Sequence, residues 1–160
     1  MSGYGPSIGE FAPDFELAGI EGATGQDSTW RLSDLVGSPV VLAFYPADDS
    51  PVCTAQLRSY TDGIAAFEQL DATVLAISPQ SPDRHRRFAE SQGGFAFPLL
   101  SDEDKAVGRA YGIVGFMGLY RRSTYVIDRT GEVVYSHRAV GPGLGYKPLD
   151  ELVDVVAALA

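Results

Sequence analysis

The chain has 160 residues, 45% hydrophobic and 21% charged, the balance of one globular domain (residues 1–160) with room for a substantial core. Its net charge of −9 argues against nucleic acid and against an anionic membrane surface as partners, since both would repel it. No apolar run approaches the roughly 20 residues of a bilayer span. The opening Met-Ser-Gly-Tyr-Gly-Pro lacks the basic and apolar regions of a signal peptide, and one cysteine suits a reducing compartment, so a cytoplasmic location is expected.

Residues 1–14, rich in glycine and proline, read as an extended lead-in. Phe15–Leu17 and Thr29–Leu32 read as strands joined by the glycine-rich turn Gly19–Asp27. Ser33 is placed to cap a brief helix, Asp34–Val36, stopped by Gly37 and Pro39. Val40–Tyr45 is a short β-branched and aromatic run, the pattern of a strand buried on both faces. Pro46 ends it, having no N–H for a central ladder.

A polar turn, Asp48 to Pro51, leads to a helix beginning near Cys53. Leu57, Tyr60, Ile64 and Phe67 fall on one face of it, and Gly63 marks a kink or a close contact. Ala72–Ser78 is a second buried strand. Ser81 and Pro82 then start a helix that runs to about Gln92 and stops at Gly93 and Gly94. Ala96–Leu100 reads as a strand whose Pro98 suggests a sheet edge. Ser101 and Asp104 resemble a capping box for a helix over Asp102–Tyr111. Gly112–Tyr120 is apolar and glycine-rich, equally suited to a pocket wall, a dimer face or a buried loop. Ser123–Asp128 and Glu132–His137 form a hairpin, 141–147 a loop, and Pro148–Leu159 an amphipathic final helix. Strands alternating with helices and closed by a late hairpin describe a mixed α/β sheet covered on both faces.

The chemistry gathers at Cys53. It lies past the C-terminal end of a buried strand, where ligand sites of open α/β sheets fall. The first turn of a helix offers free N–H groups and the positive end of its dipole, which favour a thiolate. Ser50, one turn earlier, can turn its hydroxyl to the same space. The competing reading is a small buried hydrophobe. His85 and His137 have no ligand spacing around them, so neither a metal site nor a cofactor is expected. A cysteine–histidine hydrolase would need a histidine brought in by folding. Gly-Pro-Gly-Leu-Gly lacks the residues of a phosphate loop.

The segment Pro-Ala-Asp-Asp-Ser-Pro-Val-Cys, residues 46–53, resembles the peroxiredoxin active-site signature Pro-x-x-x-Thr/Ser-x-x-Cys. Ala-Pro-Asp-Phe near residue 12, Phe-Pro-Leu-Leu-Ser-Asp from Phe97 and Arg-Ser-Thr-Tyr-Val-Ile-Asp-Arg-Thr-Gly from Arg122 are also similar, in the same order. The resemblance spans nearly the whole chain and is nearest the bacterioferritin-comigratory (Q-type) and related one-cysteine peroxiredoxins.

That resemblance implies a thioredoxin-like fold with an N-terminal hairpin extension. It implies a thiol peroxidase that reduces hydrogen peroxide and organic hydroperoxides through a sulfenic acid at Cys53. Ser50 would bond the peroxide and Pro46 would shield the thiolate. The functional arginine of the family stands six positions before the aspartate closing its strand, which gives Arg122 here, with Arg121 the natural confusion. The positions of a resolving cysteine hold other residues, Arg58 among them. The reductant would therefore be external: thioredoxin, a glutaredoxin-like protein or a low-molecular-weight thiol. Monomer and homodimer are both open. The alternative is a redox-sensing or binding module that signals by Cys53 oxidation without efficient turnover. A thiol–disulfide oxidoreductase is disfavoured because Ser50 occupies the Cys-x-x-Cys position.

Overall fold

The computed structural model describes residues 5–139 and 146–159. The glycine-rich stretch 141–145, read from sequence as part of a loop, lies outside the described residues.

The organising strand is β3 (Val40–Phe44), buried along its whole length. Val41, Ala43 and the following Tyr45 point to one face, and Val40, Leu42 and Phe44 to the other, so each face seeds its own core. The remaining strands are β1 (Glu16–Ile20), β2 (Asp27–Arg31), β4 (Thr73–Ser78), β5 (Leu99–Ser101), β6 (Ser123–Ile127) and β7 (Val133–Arg138). They form one seven-stranded sheet in the order β2-β1-β5-β4-β3-β6-β7. β3, β4 and β5 run parallel, and β6 lies antiparallel to β3. The N-terminal hairpin β1–β2 extends the sheet beyond β5.

Helices α1 (Pro51–Asp62), α2 (Ile64–Glu68), α3 (Pro82–Ser91) and α5 (Leu149–Ala157) send Leu57, Tyr60, Phe67, Phe88, Leu152 and Val156 into one face. The short α4 (Ala106–Ala110) and the chain after it cover the other with Val107, Tyr111, Ile113 and Tyr120. This is the expected mixed sheet with helical cover, the thioredoxin-like fold.

Local departures have physical causes. Helix α1 starts at Pro51, two residues before the expected start, because Ser50 accepts the Cys53 N–H and proline is preorganised for the first helical position. Gly63 both ends α1 and packs against α5, where a Cβ would meet the methyls of Leu149. Ser33 caps nothing: it lies inside a 3₁₀ turn, Leu32–Leu35, and its own N–H donates to Asp14 at 2.9 Å.

Pro98 does not mark an edge. It precedes β5, which is interior, and its carbonyl accepts the Ala76 N–H at 3.2 Å. Ser101 ends β5, so there is no capping box and no helix over Asp102–Tyr111. Instead the Asp102 carboxylate takes the N–H groups of Val107 and Gly108 at 3.1 and 2.8 Å and the Tyr120 hydroxyl, holding α4 to its five residues. In the 112–120 segment Ile113 and Tyr120 are buried, while Met117 and Leu119 are exposed, so this is not a buried loop.

The hairpin is seated by close backbone contact. At Gly22 an added Cβ would run into the carbonyl oxygens of Phe97 and Phe95, and Gly22 O accepts the Phe95 N–H at 2.9 Å. Backbone cannot step aside as a side-chain tip can, so Gly22→Ala should lower unfolding free energy by about 1–3 kcal/mol, measured by urea denaturation.

Candidate active site

The site follows from strand register. Phe44, the last residue of β3, lies opposite Ser123, the first residue of β6. The residue before Ser123 is therefore carried to the loop that follows β3. That residue is Arg122, 4% exposed. Its Nη2 donates to Cys53 Sγ at 3.2 Å and its Nη1 to Gln56 Oε1 at 2.7 Å. Arg121 takes another course: its side chain lies over Gly115, and its N–H donates to Ile113 O at 2.7 Å.

Cys53 is fully buried in the same core cluster as Tyr45, Leu57 and Tyr60, yet its sulfur faces a guanidinium. It is the third residue of α1, so the positive end of that helix's dipole lies beside it. Ser50 Oγ accepts the Cys53 N–H at 3.2 Å. That occupies one lone pair and leaves the hydroxyl proton available to another acceptor. Pro46 is half-buried, and its carbonyl accepts from Gln80 Nε2 at 3.4 Å.

Of the residues singled out in the sequence, Cys53 and Arg122 are in contact, Ser50 caps the helix that carries Cys53, and Pro46 sits at the start of the same loop. Arg58, at a resolving-cysteine position, instead donates to the carbonyls of Gln92 and Gly94 at 2.9 and 3.2 Å, tying α1 to the end of α3.

Gln56 escaped the sequence analysis. It lies three residues after Cys53, on the inward face with Leu57 and Tyr60, and a polar residue in an apolar stripe was the available signal. Tyr60, on the same helix face, donates its hydroxyl to Lys147 O at 2.6 Å. Burial, above all, pushes its phenol up to about 12, so it stays protonated at neutral pH. Asp48 and His85, fully or nearly buried behind the loop, were also missed as a pair. Among the described residues no group of acidic, histidine or cysteine side chains could hold a metal ion.

The thioredoxin-like sheet thus carries, beyond the C-terminal end of β3, a buried cysteine that faces an arginine. The sequence profile described as the AhpC/TSA family matches residues 8–136, so the chain belongs to the AhpC/TSA family. It is 35% identical over 141 residues to peroxiredoxin Bcp of Bacillus subtilis, covering 83% of this chain and 85% of that protein. It is 35% identical over 134 residues to the chloroplastic peroxiredoxin Q of Populus jackii, covering 81% and 60% respectively. Among solved structures, AhpC of Mycobacterium tuberculosis superposes with a TM-score of 0.86 at 26% identity, covering 97% of this chain and 93% of that one. AhpC of Enterococcus faecalis superposes at 0.87 and 25% identity, covering 96% and 92%. Family and fold together make this chain a thiol peroxidase.

Arg122 is buried, and Gln56 helps to hold its charge. Gln56→Leu removes an acceptor from a buried cation and should cost about 2 kcal/mol of stability. Gln56→Glu restores an acceptor and should recover most of it. Urea denaturation of the three proteins checks both.

Proposed function

We propose that Cys53 is the attacking group of this peroxidase and that Arg122, Ser50 and Pro46 complete its site. The Cys53 thiolate attacks one oxygen of a hydroperoxide, R–O–O–H. The S–O bond forms as the O–O bond breaks, and the departing oxygen takes a proton and leaves as water or alcohol. Sulfur is oxidised to Cys–SOH and the peroxide is reduced. The observation that carries this is the 3.2 Å approach of Arg122 Nη2 to Cys53 Sγ in a buried setting. There a guanidinium stabilises a thiolate strongly and offers a second donor to developing oxygen charge. The Ser50 hydroxyl proton supplies another donor, and Pro46 excludes water from the loop.

The chain holds no second cysteine. We therefore assign the return step to an external thiol: one equivalent attacks Cys–SOH, releasing water and forming a mixed disulfide, and a second attacks that disulfide, leaving as the oxidised RS–SR pair and freeing Cys53 as thiol. Thioredoxin, a glutaredoxin-like protein and a low-molecular-weight thiol all satisfy that chemistry. Hydrogen peroxide and small organic hydroperoxides are the proposed substrates. No helix among the described residues is long and apolar enough to cross a membrane, and the cytoplasm is the compartment that fits a thiol-driven cycle.

Peroxide consumption with added thiol tests the reading. Cys53→Ser should abolish it. Arg122→Lys should lower the rate about 100-fold, the scale of losing one preorganised donor, because an ammonium cannot reproduce the planar pair. Turnover that survives Cys53→Ser would refute the assignment. One stoichiometric oxidation without cycling in the parent would favour a redox sensor.

A further inference from the structure

One buried ionisable cluster plays no part in the step just described. His85 lies on the inward face of α3 with Phe88 and Ala89 and is fully buried. Asp48, 4% exposed, belongs to the loop between β3 and α1. His85 Nδ1 is 2.8 Å from Asp48 Oδ2, and the Tyr45 hydroxyl donates to Asp48 Oδ1 at 2.7 Å. On the other side of the ring, Nε2 is 3.0 Å from the Leu100 carbonyl oxygen of β5. A carbonyl oxygen only accepts, so Nε2 carries a proton. The carboxylate facing Nδ1 requires a second proton between those two atoms. On either atom it leaves the pair neutral overall and both groups satisfied, where an unpaired buried charge would be costly.

This cluster grips the loop that leads to the thiol. The Asp48 N–H donates to Gln80 Oε1 at 3.0 Å, and Gln80 also reaches the Pro46 carbonyl and accepts from Ser78 Oγ at 2.6 Å. The next residue, Asp49, holds a φ of 65°, a conformation a non-glycine residue keeps where its surroundings impose it. After it comes Ser50, the cap of α1, and then the first turn with Cys53. His85, from a separate helix, thus fixes the path by which the chain enters α1.

We propose that His85 is a positioning residue for Cys53, acting through Asp48: the buried pair holds loop 46–50 so that Ser50 stays on the helix start and the Cys53 sulfur stays in register with Arg122. The proposal rests on Cys53 being the attacking group. A shift of about 1 Å between reacting groups can cost on the order of 100-fold in rate. A loosened loop therefore shows in the peroxide step, over and above the stability lost with the buried pair.

Two substitutions separate the two sides of the ring. His85→Asn sets an amide near the Nδ1 position, keeping a donor for Asp48 and giving up Leu100. His85→Gln reaches the Leu100 carbonyl and gives up Asp48. The readouts are the second-order rate of Cys53 oxidation by hydrogen peroxide and the Tm of each variant. His85→Asn should retain most of the rate, and His85→Gln should be at least about tenfold slower, with both rates read well below the lower Tm. Equal rates, or the opposite order, overturn the proposal, because a role confined to packing α3 on β5 favours the glutamine. If neither variant folds, Asp48→Ala on the loop decides: about a tenfold loss is expected, and a parental rate overturns it. Failure of the underlying assignment is separately visible, as a parent protein whose Cys53 does not react with peroxide.

Discussion

Cys53 and Arg122 are 69 positions apart, and they meet because β3 and β6 run antiparallel with Phe44 opposite Ser123. Both strands are buried on both faces, so a one-residue shift would exchange the side chains of the two cores and spoil the packing of each. The packing of Val40–Phe44 and Ser123–Ile127 into those two cores therefore fixes the placement of the guanidinium. Two cores lock that register from opposite sides, so the hydrophobic effect indirectly sets the 3.2 Å approach of arginine to sulfur.

The cost of keeping polar groups at that end of the sheet is met locally. Arg122 bonds Gln56 as well as Cys53. Asp102 is fully buried yet takes two backbone N–H groups and the Tyr120 hydroxyl. Burial, and then the Asp48 charge, drive the Tyr45 phenol well above its ordinary range, so it remains a donor to Asp48. These hydrogen bonds stiffen the buried groups they join, while Gln56 Nε2 and Ser101 Oγ find no partner among the described residues. Rigidity suits a site that must hold a sulfur in line with its donors.

Much of this was legible in the sequence because it depended on local rules. The apolar run of β3, the proline start of α3 and the hairpin that turns at Asp128–Gly131 are written in propensity and periodicity. Cys53, Ser50 and Pro46 are close neighbours in one loop-and-helix unit. Arg122 was reachable by resemblance, but its choice over Arg121 rests on a register that no local pattern encodes. The misplaced features depended on distant partners. Ser33 looked like a cap until Asp14 took its N–H, and Pro98 looked like an edge residue until it fell just outside an interior strand. Gln56 and the Asp48–His85 pair were missed because long-range hydrogen bonds give meaning to residues that are unremarkable in isolation.

The central claim is that the Cys53 sulfur, held beside Arg122, takes an oxygen atom from a peroxide. The most direct measurement is the intact mass of the protein after one equivalent of hydrogen peroxide, with a sulfenic-acid reagent present and the labelled peptide sequenced. The account predicts a single adduct at Cys53, formed quickly and removed by added thiol. An unmodified Cys53, or oxygen found only on Met1 or Met117, would contradict it.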